Sequence, residues 1–169
     1  KFNAPSHTLV KAFTDNGDTQ RKASTITTAN VGWADTYWSS TNYPFAYKMR
    51  DTDGNQNFYL ARLSDILLLK AEALATLGDV PEAMALVNQV RTRAGIATIS
   101  ATDQSDAIYK ILDERLMELA FEGDRWFDLK RMGKAVEILS QQNRPPGPAP
   151  SARSRGAWRR CRRAGRRLR

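Results

Sequence analysis

Two helical apolar periods separated by only two residues constrain this chain more than any other feature. Leu60, Leu63, Ile66, Leu67, Lys70, Ala71, Leu74 and Leu77 recur at the spacing of one helix face. Leu68 and Leu69 widen the stripe, so this helix is expected to be buried on more than one side. Gly78 ends it as a left-handed cap. Asp79 then caps a second helix, with Pro81 in the first turn, where a missing N–H costs nothing. Ala83, Leu86, Val87, Val90 and Ala94 form the second stripe, and Gly95 ends it. A link this short leaves one arrangement for the two helices, an antiparallel hairpin.

The link itself, L-G-D-V-P-E-A at 77–83, resembles the turn of a tetratricopeptide repeat, and no second copy follows at that repeat's period. After a linker over 96–103, a third helix is expected from Ser105 or Asp106. Its stripe is Ile108, Ile111, Leu112, Arg115, Leu119 and Phe121/Glu122, and Gly123 is expected to stop it. Asp124 is a suitable N-cap for two last pieces, 125–132 and 133–140.

The first third reads differently. Residues 1–57 are rich in Thr, Ser, Asn, Asp and Gly and lack a sustained helical period. They read as irregular chain with one or two short strands, for example at 24–28. Aromatic residues crowd into it: Trp33, Tyr37, Trp38, Tyr43, Phe45 and Tyr47. Flat aromatic faces in a loop can stack on sugar rings or bases, or can pin the loop to a helical core. The run D-T-D-G-N at 51–55 starts like a calcium loop. Gln56 and Arg62 stand where such a loop needs Gly and Glu, so a turn closed by Asp53-Gly54 is the better reading.

Charge is distributed unevenly. The net charge of +8 suggests an anionic partner. Residues 1–140, however, carry 16 Lys and Arg against 18 Asp and Glu, whereas 141–169 carry ten Arg and no acid. The basic character belongs to the Pro/Arg-rich tail. That tail reads as disordered, as an arm for an anionic surface or nucleic acid, or as an out-of-frame end, since residues 144–169 use almost only Arg, Pro, Gly, Ala and Ser, which have GC-rich codons. The out-of-frame reading is preferred, and no nucleic acid is expected as a partner.

Several chemistries are excluded. One cysteine, Cys161, and one histidine, His7, allow no internal disulfide and no Cys- or His-based metal site. There is no P-loop, no G-x-G-x-x-G and no set for a Ser-His-Asp triad. No run approaches the ~20 apolar residues of a spanning helix. The start lacks the charged and apolar segments of a signal peptide.

The densest run is E-R-L-M-E-L-A-F-E-G-D-R-W-F-D-L-K-R, 114–131. Glu114, Glu118 and Glu122 share one helix face, where like charges four apart repel unless cations reach them. Arg125, Arg131 and Arg62 or Arg91 are the expected partners, in at least one bidentate fork with a partly buried carboxylate. Glycosidase carboxylates flank a cleft from different elements. A row along one helix suits a structural network instead. The structural set is Glu114, Glu118, Glu122, Gly123, Arg125, Trp126, Asp128 and Arg131.

Three segments, N-F-Y-L-A-R-L-S-D-I-L-L-L-K-A-E-A-L (57–74), A-L-V-N-Q-V-R-T-R-A-G (85–95) and the run 114–131, resemble in order and spacing the C-terminal part of SusD/RagB-like proteins. D-T-Q-R-K-A-S-T (18–25) and Y-P-F-A-Y-K-M-R (43–50) fit more weakly. The resemblance implies an all-α fold of tetratricopeptide-like hairpins under long irregular loops. It also implies a lipoprotein of the Bacteroidetes outer membrane that binds oligosaccharides or other nutrients. Such a protein acts as a lid on a SusC-like TonB-dependent transporter, and it is neither an enzyme nor cofactor-bearing. The family's signal peptide, anchor cysteine and most of its scaffold would precede Lys1, and its usual C-terminal stretch is replaced here. Its glycan contacts vary and lie outside these motifs, so none is carried over. The aromatic loop supplies the candidate contacts: Trp33, Tyr37, Trp38 and Tyr43. The expected organisation is a loop-rich segment 1–57, a helical region 58–140 and a tail 141–169. A tetratricopeptide-like protein-interaction module without a sugar ligand is the alternative.

Overall fold

The computed structural model describes residues 4–140 apart from Thr36, Arg50, Thr52, Gln56 and Phe58. The expectations for the tail 141–169 lie outside the described residues. The chain runs α1 (His7–Asp15), α2 (Thr19–Thr25), β1 (Ile26–Asn30), β2 (Asn42–Ala46), α3 (Leu63–Thr76), α4 (Val80–Arg93), α5 (Gln104–Glu118), α6 (Arg125–Arg131) and α7 (Ala135–Ser140).

The α3–α4 hairpin forms as expected. Asp79 Oδ1 accepts from Glu82 N, capping α4. Gly78 turns the chain at φ +92°, with Gly78 N donating to Ala75 O and Asp79 N to Leu74 O. These two bonds satisfy the last carbonyls of α3, and the left-handed backbone costs glycine little. The α4 stripe, Ala83 to Ala94, is buried throughout.

The expected face of α3 is corrected. Its buried positions are Ser64, Leu68, Ala71, Glu72 and Ala75. Leu60 is 94% exposed, Leu63 73% and Leu77 84%. A helix apolar all round leaves its period ambiguous, and the side that α4 and α5 meet is buried. The alanines let those helices approach closely. Leu68, Val87, Ile111 and Leu112 are almost fully enclosed in the resulting core, with Leu129 of α6 closing one end. Each such side chain contributes roughly 1.5–3 kcal/mol.

The linker before α5 is held by paired amide bonds: Asn88 Nδ2 donates to Ile99 O and Asn88 Oδ1 accepts from Ile99 N. The helix starts at Gln104 on an Asp103 cap, slightly ahead of the expected point.

The first third is more ordered than expected. It holds two helices and an antiparallel hairpin, in register from Ile26 with Ala46 to Asn30 with Asn42. Ser6 caps α1 and Asp18 caps α2 through bonds to Leu9 N and Arg21 N. Neither helix is long enough to display a period. α1 buries only Leu9 and Phe13, which pack with Ile26, Met117 and Ala120 against the end of α5. α2 buries Arg21 and Thr25, an inward face that is polar and gives no hydrophobic signal. The Asp-Gly turn is present, with Gly54 at φ +73° and Asp53 N donating to Asp51 Oδ1.

Gly123 does not stop α5. The helix ends at Glu118, and Phe121 takes a left-handed φ of +66° before Gly123 does so at +100°. The reason is a competing cap. Lys48 Nζ and Arg62 Nη2 donate to the Glu118 carbonyl at 2.9 and 2.6 Å, and Glu122 N donates to Leu119 O instead. Cations at a helix C-terminus favour such an ending.

Candidate functional site: a charged seam and an aromatic loop

The carboxylate row of α5 faces α2, the start of α3 and the end of α4. Glu114 is fully buried; its two oxygens accept from Arg21 Nη1 at 2.7 Å and Arg91 Nη1 at 2.8 Å. Glu118 is met by three guanidiniums: Arg62 at 2.6 Å, Arg93 at 2.6 Å and Arg21 at 2.9 Å. Glu122 takes Lys48 and a two-pronged bond from Arg62 Nε and Nη2 at 2.9 and 2.8 Å. Arg21 is steadied from its other side by Asp18.

The electrostatics follow from this packing. Burial alone would raise the Glu118 carboxyl, but hydrogen bonds from Arg62 and Arg21 outweigh it and hold the group down at about 2. Glu122 is lowered for the same reason, burial being outweighed by Arg62 and Lys48. Burial pulls the Lys48 ammonium below its usual range in spite of Glu122.

A second network ties α6 down. Arg115 donates to Asp128 and Asp65, each at 2.8 Å, and Arg131 forks onto Glu72 at 2.7 and 2.8 Å. Arg131 Nη2 also reaches Asp128.

Of the expected partners, Arg62 and Arg91 meet the row and Arg131 and Arg125 do not. Arg125 donates to Leu112 O at 2.7 Å, and its buried Nε has no partner among the described residues. It begins α6, three residues beyond Glu122, and donates to the backbone of α5 and not to the carboxylates. Asp124 occupies the cap position without a side-chain cap bond. Trp126 is 53% exposed and contributes little to the core. Arg21, Lys48 and Arg93 were missing from the expected set. Arg21 and Lys48 lie in the two weakly matching upstream segments, which was the available signal.

The aromatic loop leaves the hairpin between β1 and β2. Asp35 organises it: Oδ1 accepts from Tyr37 N and Trp38 N at 3.0 and 2.7 Å, and Oδ2 from the Tyr43 hydroxyl at 3.3 Å. The Trp38 ring stacks on His7 of α1 at 4.2 Å, nearly parallel. Tyr43 is buried between Trp33 and Phe45. Burial raises the Tyr37 phenol above its ordinary value. The four candidate aromatics therefore share one loop but do not form one flat platform. Trp33, at 38% exposure, presents the most open ring.

Among the described residues no group of His, Cys, Asp and Glu could hold a metal ion, and no helix is long and apolar enough to cross a membrane.

This geometry has relatives. The family model for the SusD family matches residues 3–154. The chain belongs to the SusD family. SusD-like protein P38 of Formosa agariphila is 42% identical over 96 residues, covering 52% of this chain and 19% of the relative. SusD-like protein P2 of the same organism is 31% identical over 105 residues, 57% of this chain and 21% of the relative. The chain thus spans about a fifth of the length of these relatives. A SusD superfamily protein from Bacteroides vulgatus superposes with a TM-score of 0.64 at 19% identity, over 83% of this chain and 36% of that one. A SusD-like protein from Bacteroides fragilis gives 0.51 at 23% identity, over 69% and 28%. The mainly helical architecture, tetratricopeptide-like hairpins beneath loops, is that of the SusD fold.

Proposed function

We propose that this chain is part of a non-catalytic nutrient-binding protein of the bacterial outer membrane, lipid-anchored, that hands oligosaccharides or related nutrients to a SusC-like TonB-dependent transporter. Membership of the SusD family is the observation that carries the reading. The charged seam supports it from the physical side. A carboxyl held at about 2 by three arginines is a poor proton donor near neutrality, and the row is better suited to holding elements together than to acid–base chemistry.

Within this reading the helical region 58–140 carries the segment 1–57, and the aromatic loop of that segment meets the ligand. Trp33 provides the stacking face, and Tyr37, Trp38 and Tyr43 hold the loop in shape through Asp35 and His7. Affinity electrophoresis through gels containing neutral polysaccharides tests this. At least one polysaccharide should retard the chain, and Trp33→Ala should weaken that retardation about tenfold in affinity, the value of one stacked ring. Equal retardation of the two proteins would reject the role of Trp33. Co-purification of a TonB-dependent transporter from outer membranes tests the partner.

One observation favours a second reading, a tetratricopeptide-like protein-interaction module. Leu63 and Leu67 of α3 and Val90 of α4 line an open groove of about 420 Å³, with Arg62 and Arg93 at its polar side. A pull-down that returns a soluble protein and no transporter would favour it.

A further inference from the structure

The charged seam is not balanced. Five cations, Arg21, Lys48, Arg62, Arg91 and Arg93, enclose four carboxylates, Asp18, Glu114, Glu118 and Glu122. Four of these cations also line one cleft of about 290 Å³, between the end of α2, the chain leaving β2, the start of α3 and the end of α4. Thr25 and Tyr59 contribute to the same wall. The volume lies at the lower limit of small-molecule sites.

Donors remain there. Arg21 lines the cleft and brings its charge to it, although its Nη2, without a partner among the described residues, is closed off from solvent. Arg93 places only Nη2 on the Glu118 oxygens, so its Nε and Nη1 stay available among the described residues. Lys48 uses two of its three protons, on the Glu118 carbonyl and on Glu122. Arg62, by contrast, is saturated by Glu118, Glu122 and Ser64. The one carboxylate in the wall, Glu118, is already matched by three guanidiniums and offers little repulsion. A donor left without an acceptor is costly, and more so when it carries charge. One added negative charge would also neutralise the excess.

We propose that this cleft is a binding site for a small oxyanion, a carboxylate or a sulfate or phosphate group, held by Arg93 and Lys48, with the Arg21 charge beside it and the Tyr59 hydroxyl at its rim. The site is separate from the aromatic loop and does not depend on the nutrient-binding reading. The oxyanion can be free, or it can be the acidic substituent of a sugar.

Titration calorimetry of the 169-residue chain with sodium sulfate, sodium phosphate and sodium acetate, at constant ionic strength, tests the proposal. Saturable one-site binding is expected for at least one of them. Arg93→Gln, at a largely exposed position, and Tyr59→Phe, which removes one hydroxyl, should each weaken it, Arg93→Gln by about tenfold. Circular dichroism establishes that each variant is folded. Glucuronate and glucose form the second arm. Glucuronate binding much tighter than acetate identifies a sugar-borne group, whereas equal binding identifies the free anion. No saturable binding by sulfate, phosphate, acetate or glucuronate would overturn the proposal, as would unchanged affinity in folded Arg93→Gln and Tyr59→Phe. Loss of polysaccharide retardation with anion binding intact would reject only the nutrient reading.

Discussion

Two seams hold α5 in place, one apolar and one ionic, and they differ in how they fail. Against α3 and α4 the helix presents Ile108, Ile111 and Leu112 to Leu68, Val87 and their neighbours. Such contacts are non-directional, so a lost methylene costs its own burial and a share of a cavity. Against α2, the chain after β2, the start of α3 and the end of α4, it presents Glu114 and Glu118, with Glu122 just past its end. There each carboxylate serves several cations at once. Arg21 reaches both Glu114 and Glu118, and Arg62 reaches both Glu118 and Glu122. Removing one member leaves charges stranded in a dry place, which is worse than never having had them.

The sharpest break of this comparison is Glu118→Ala. It takes one carboxylate away from Arg21, Arg62 and Arg93 at once and leaves the seam with a larger excess of positive charge, and a loss of about 3 kcal/mol of unfolding free energy is expected in urea titrations. A loss under about 1 kcal/mol would mean that the seam is no more than a solvated surface cluster.

The difference also governs what could be read in advance. The stripes of α4 and α5 were legible, because their apolar residues recur within one short segment and point one way. For α3 the period existed, but a helix apolar on every side does not reveal which side is covered. α1 and α2 were hidden: one is nine residues long and buries two side chains, and the other buries an arginine and a threonine. In the candidate site the carboxylates were legible from their spacing of four. Their partners were not, since Arg21 lies 93 and 97 positions away from Glu114 and Glu118. The break at Glu118 was also invisible, because a side chain 70 residues away caps that carbonyl. The tryptophans were legible as a cluster, but the stacking of Trp38 on His7 was not.

pH separates the two seams more gently. The Glu118 carboxyl sits at about 2 in the folded chain against an ordinary value of 4.5. A lowered carboxyl contributes stability above its ordinary value and loses it as pH falls toward the folded value. Between pH 5 and 3 the chain should therefore lose about 2 kcal/mol through this group, with Glu122 adding in the same direction. Leu68→Ala, which costs about 3 kcal/mol by opening a cavity, should shift the whole pH curve down without changing its slope. Glu118→Gln should flatten the slope. Parallel curves for wild type and Glu118→Gln would show that acid sensitivity arises elsewhere.

The smallest effect is expected at Arg125, and it is the most discriminating. The same run that carries Glu118 carries this arginine, yet it stands outside the ionic seam. It gains one hydrogen bond, to Leu112 O, and keeps a buried Nε without a partner among the described residues. Burial pulls its guanidinium below its ordinary value, against the attraction of Asp113 and Asp128. The bond contributes about 1 kcal/mol and the stranded N–H opposes it by a similar amount. Arg125→Met keeps the length and the apolar stem, so its unfolding free energy should stay within about 1 kcal/mol of wild type, in either direction. A loss of about 3 kcal/mol or more would place Arg125 in the same network as Glu118 and would erase the boundary between the part of the run that joins elements and the part that merely begins α6.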